Sequence, residues 1–124
     1  ENVVVNKAIK NEVTFALAES CTGGLISHRV TEVSGSSKVF KGGMVVYSNR
    51  AKIDNLGVRR ECIEENGAVS KETAMEMAQN VRSIFFDHWK SAEKINFETT
   101  VAICAFITTD PTFIAFHHLG RVFY

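Results

Sequence analysis

Apolar positions along this chain follow two alternating periods. Val3, Val4, Ala8 and Ile9 recur at helical spacing, and Val13 to Ala18 then form a short apolar run rich in Val, Thr and Phe, so a helix is expected to lead into a buried strand. After Ser20, Leu25, Ile26, Val30 and Val33 keep apolar residues on one side of a second helix, which Gly35, Ser36 and Ser37 break. Gly42 to Tyr47 reads as a second strand ending at Asn49. Lys52 to Leu56 and Arg59 to Asn66 read as short helices, stopped by Gly57 and Gly67 as left-handed terminal residues. Ser70 is the expected N-cap of a longer helix with Glu72 in its first turn, because Ala74, Met77, Ala78, Val81, Ile84 and Phe85 form one stripe.

Lys90 to Thr100 is charged and weakly periodic and is expected to be a loop. Three strands are expected beyond it: Val101 to Ile107, Phe113 to Phe116 and Arg121 to Tyr124. Strands alternating with helices argue for a layered α/β/α single domain over residues 1–124. There is no internal repeat, low-complexity tract or linker.

An apolar content of 45% in 124 residues is enough for one core. Lys plus Arg and Asp plus Glu both number 14, so no global field draws in nucleic acid or an anionic membrane, and a charged ligand must be held by local groups. The longest apolar stretches fall well short of the roughly 20 residues that cross a bilayer. Cys21, Cys62 and Cys104 are odd in number and widely spaced, which suits reduced thiols in a cytoplasm, and neither they nor the adjacent His117 and His118 have the spacing of a metal site.

Chemistry concentrates at Ser20. A small nucleophile at a tight turn between a buried strand and a helix is rigidly held, and backbone N–H groups beside it can steady an anion. Gly23 and Gly24 let a ligand approach that backbone closely. On spacing alone, Ser20 reads rather as a capping serine and Lys52 rather as a solvated lysine, Tyr47 reads equally as a core aromatic with its hydroxyl at the rim, and Cys21 reads as a small packed side chain.

The run Leu17 to Gly24, LAESCTGG, resembles the signature of the CinA C-terminal domain family, and Gly35 to Lys52, GSSKVFKGGMVVYSNRAK, continues the same pattern in the same order. Agreement extends through Leu56, Gly57 and Val58 to Gly67, Ala68, Val69 and Ser70. The resemblance implies an amidohydrolase that converts nicotinamide mononucleotide to nicotinate mononucleotide and ammonia, without metal or redox cofactor, in a homo-oligomer; that it binds neither nucleic acid nor membrane is the expectation from the charge balance. It makes Ser20 the nucleophile, Lys52 its general base and Tyr47 a supporting group. Glu19, Cys21, Thr22, Gly23, Gly24 and Asn49 are the expected substrate-binding residues, with Glu19 either solvated or holding Lys52 or a neighbouring donor in place.

A serine hydroxyl needs a base to remove its proton, and a lysine serves only when desolvation or nearby positive charge lowers its pKa from about 10.4 toward neutrality. Burial of Lys52 is therefore a condition of activity. Cys21 is the alternative nucleophile, since a helix start lowers a thiol's pKa. The resemblance lapses after the third strand, where the family carries a loop Thr-Gly-Ile-Ala-Gly-Pro and this chain reads Ile107, Thr108, Thr109, Asp110, Pro111. The glycine-rich loop and the family's closing helix are thus expected to be missing. A non-catalytic nucleotide-binding or assembly module is the second reading.

Overall fold

A computed structural model of the 124-residue protein describes residues 1–87, 100–105 and 114–117, with side chains up to residue 85. Helix α1 (Asn2–Lys10) leads into β1 (Thr14–Glu19), and α2 (Leu25–Thr31) and a 3₁₀ turn at Ser36–Lys38 precede β2 (Phe40–Val45). Helices α3 (Asn49–Asp54), α4 (Arg60–Asn66) and α5 (Lys71–Asp87) come before strands β3 (Thr100–Ala105) and β4 (Ile114–His117). The sheet order is β2-β1-β3-β4, with β1 parallel to both of its neighbours and β4 antiparallel to β3.

Strand β1 is central because it is buried on both faces. Successive side chains of a strand point to opposite sides, so an uninterrupted apolar run belongs between two layers. On one side Ala16 and Ala18 join Val46, just past β2, and Leu56, Val58, Ile63, Ala74, Met77, Ala78 and Val81 from the segment spanning α3 to α5. On the other, Phe15 and Leu17 join Val5, Ala8, Val30, Val33 and Val39 from the α1 and α2 side. The result is the expected three-layer α/β/α arrangement. The alanines at 16 and 18 let α5 lie close to β1, and α5 also covers β3 and β4.

Several boundaries differ from the sequence reading. Strand β2 begins at Phe40 and ends at Val45, so Tyr47 lies past the strand, and α3 begins at Asn49 rather than Lys52. The reason is a cap: the Ser48 hydroxyl accepts from the Ala51 N–H at 3.0 Å, starting the helix earlier than the apolar pattern indicates. Ser70 caps α5 as expected, accepting from Thr73 N–H at 3.1 Å. Gly57 and Gly67 have positive φ, 73° and 93°, but Gly67 pairs it with ψ of 155°, an extended rather than left-handed helical exit. The third and fourth strands occupy Thr100–Ala105 and Ile114–His117. The expected strand at 121–124, the departure at 107–111 and nearly all of the 90–100 loop lie outside the described residues.

Candidate active site

Ser20 follows the last residue of β1, and Val46 and Tyr47 follow the last residue of β2, its parallel neighbour. The Val46 N–H donates to the Glu19 carbonyl at 2.8 Å, which holds the two chain exits side by side at the carboxyl ends of the strands. Ligands of open α/β sheets collect at such ends.

The alternation of β1 sorts the two polar residues that end it. Glu19 continues the Phe15 and Leu17 side toward α2, while Ser20 continues the Ala16 and Ala18 side toward α3. Lys52 sits on α3 facing Ser20 and is only 2% exposed. Its Nζ lies 3.0 Å from Ser20 Oγ and donates at 3.0 Å to the carbonyls of both Val46 and Tyr47. Ser20 is 3% exposed. The readings of Ser20 as a cap and Lys52 as a solvated lysine are thereby overturned: Ser20 Oγ is engaged with Lys52, and α2 has Gly24, at φ 98°, in the capping position without a side-chain bond.

Tyr47 reaches Lys52 through its backbone carbonyl, and its side chain is 74% exposed. The expectation of a core aromatic fails because β2 has ended before it. Asn49 is exposed at the start of α3.

Glu19 is fully buried, and its carboxylate is taken up by the protein itself. Oε2 accepts from Thr22 Oγ1 at 2.8 Å and from the N–H groups of Gly24 and Ile26 at 3.1 Å each. Oε1 accepts from the Ser27 N–H at 2.8 Å and from Ser27 Oγ. Burial pushes the carboxyl's pKa up, but the bonds from Ser27, Thr22 and Ile26 outweigh it and hold the group below the ordinary carboxylate range. Glu19 therefore holds neighbouring donors in place, as one expectation had it, and is not left facing a substrate. Sequence reasoning missed Ser27, though a serine one turn into a helix whose N-cap is glycine was the available signal.

The same bonds decide which turn amides remain. Gly23 N–H donates to Ser20 O at 3.0 Å, Leu25 N–H to Thr22 O at 3.1 Å, and Gly24 N–H to Glu19. Among the described residues, the N–H groups of Cys21 and Thr22 are the ones in this turn that no protein oxygen takes. Cys21 itself is exposed. Among the described residues no three His, Cys, Asp or Glu side chains are grouped to hold a metal, and no helix is long and apolar enough to cross a membrane.

A mostly parallel sheet flanked by helices, with a buried lysine against a serine at the carboxyl end of a central strand, defines the class as a small α/β domain with a Ser–Lys pair. The chain belongs to the CinA C-terminal domain family, whose model matches residues 1–92. A relative from Acetivibrio thermocellus named for competence-damage induction is 60% identical over 84 residues, 68% of this chain and 20% of its own length. A CinA-like protein of Fervidobacterium nodosum is 50% identical over 91 residues, 73% of this chain and 22% of the relative. This chain thus spans about a fifth of the length of the curated relatives it matches. Among solved structures, the competence/damage inducible protein CihA of Agrobacterium tumefaciens superposes with a TM-score of 0.73 at 29% identity, covering 98% of this chain and 73% of that one. A CinA superfamily protein of Escherichia coli gives the same TM-score at 22% identity, over 98% of this chain and 70% of that one, a likeness of fold.

Proposed function

We propose that this domain is an amidohydrolase that deamidates nicotinamide mononucleotide, with Ser20 as nucleophile and Lys52 as general base. The observation that carries the reading is the buried contact of 3.0 Å between Lys52 Nζ and Ser20 Oγ. A neutral Lys52 amine takes the hydroxyl proton as Ser20 Oγ attacks the carboxamide carbon, then passes a proton to the departing ammonia. Water hydrolyses the resulting ester to nicotinate mononucleotide and frees the serine. The Val46 and Tyr47 carbonyls hold the amine in place, which is the supporting role of Tyr47 in this reading. The Cys21 and Thr22 amides are the donors left to meet the developing oxyanion. In this reading the exposed Tyr47 and Asn49 are left to meet the substrate.

The test is ammonia release from the mononucleotide. Wild-type protein should release it, Ser20→Ala should not, and Cys21→Ala should be mildly affected. Activity in Ser20→Ala, or loss confined to Cys21→Ala, overturns the assignment. The second reading, a nucleotide-binding or assembly module without turnover, draws on the sequence departure at Ile107 to Pro111. It is the outcome if the mononucleotide binds and no ammonia appears.

A further inference from the structure

We propose that Glu19 is a positioning residue for Ser20: by clamping the start of α2, its carboxylate sets where the Ser20 hydroxyl meets the Lys52 amine. The inference rests on the reading of Ser20 and Lys52 as the reacting pair. Five donors converge on the two carboxylate oxygens, two of them hydroxyls and three of them backbone N–H groups. A carboxylate has about four lone-pair sites, so this one is saturated and has nothing to offer a substrate.

Capping a helix needs only one side-chain oxygen bonded to one or two amides. Here a buried charge is used, on the residue bonded directly to the nucleophile. Glu19 and Ser20 share a peptide unit and point to opposite faces, so a backbone rotation there that released the carboxylate would swing Ser20 Cβ as well. The far side of Ser20 is also tied, because its carbonyl accepts from Gly23 N–H. The serine is thus held between a clamp before it and a closed turn after it.

The clamp is completed from β2. A Cβ built on Gly43 would lie 2.6 Å from Ser27 Oγ, so a bare α-carbon at 43 leaves room for the hydroxyl that reaches Glu19. Strand β1, helix α2 and strand β2 therefore each contribute to one hydrogen-bonded knot behind the nucleophile.

Two variants open the knot without touching Ser20 or Lys52. Glu19→Gln keeps the shape but sets an NH₂ group against donors, and Gly43→Ala displaces Ser27 Oγ from the opposite side. The readouts are the ¹⁵N signal of Lys52 Nζ followed through a pH titration, amide exchange at Gly24, Ile26 and Ser27, and kcat and KM for ammonia release. In both variants exchange at the three amides should rise, and the Lys52 signal should move toward its position in Ser20→Ala. The kcat should fall about 10²-fold while KM holds, as for a nucleophile displaced by about 1 Å. If exchange rises but the Lys52 signal and its titration midpoint stay at wild-type values, Glu19 only caps α2 and the proposal is overturned. Should Glu19→Gln fail to fold, Gly43→Ala carries the same test. If wild-type protein releases no ammonia, the amidase reading falls alone, and the Lys52 signal still decides whether Glu19 positions the pair.

Discussion

Replacing Lys52 by Met separates what the amine does for the reaction from what it does for the fold. Met is unbranched, of similar length and accommodating in irregular cavities, so packing is nearly kept. Removing the buried amine relieves the cost of holding that polar group out of water, about 1–3 kcal/mol. Against this, Ser20 Oγ and the Val46 and Tyr47 carbonyls lose their donor, at about 1–3 kcal/mol for each that stays dry. The Tyr47 carbonyl is only partly buried and regains water, so the opposing effects nearly cancel. Stability within about 2 kcal/mol of wild type is expected, read by urea denaturation with an unchanged slope. Turnover should fall about 10²–10⁴-fold, the range for loss of a general base, equivalent to roughly 3–5 kcal/mol of barrier. Ammonia release within tenfold of wild type would refute the reasoning. So would a protein that no longer folds, since the amine would then be a structural anchor.

Acidification should weaken the fold through Glu19 and Glu76. Burial pushes the Glu76 carboxyl up, but Arg59 and other donors more than offset it, so both groups sit below the ordinary value of 4.5. A depressed folded pKa gives stability that is full above the unfolded value and lost as pH falls through the folded one, so denaturation midpoints should decline below about pH 4.5, and less steeply in Glu19→Gln. Gly42→Ala should cost about 2–4 kcal/mol by chemical denaturation, because Gly42 has φ of 148° and an added Cβ would collide with the Phe85 ring. Met77→Ala, at a fully buried position between α5 and the sheet, should cost about 2–5 kcal/mol, measured the same way, and leave KM unchanged.

Much of the architecture was legible because periodicity and burial coincide. The apolar run at 13–18 became the doubly covered strand β1, and the stripe from Ala74 to Val81 became the face of α5 against it. Boundaries slipped where a polar cap overrode the apolar pattern, as when Ser48 started α3 three residues before Lys52. Period alone could not show that Ser20 and Lys52 meet, since 31 residues of chain lie between them and their contact depends on β1 and β2 being parallel neighbours. It was the resemblance to the family that paired them. Glu19 was hardest to read because a carboxylate ending a strand is usually solvated, and its saturation depends on where α2 begins.

The central claim is that Lys52 is the base for Ser20, and the most direct test is the pH dependence of kcat in wild type and Lys52→Arg. A lysine base acts when neutral, so the wild-type rate should rise with pH through one ionisation lying below the free-lysine value of about 10.4. Guanidinium keeps the charge but stays protonated throughout the working range, so Lys52→Arg should be nearly inactive and should lose that ionisation. If Lys52→Arg kept wild-type turnover with an unchanged profile, the claim would be contradicted, and another group would have to take the serine proton.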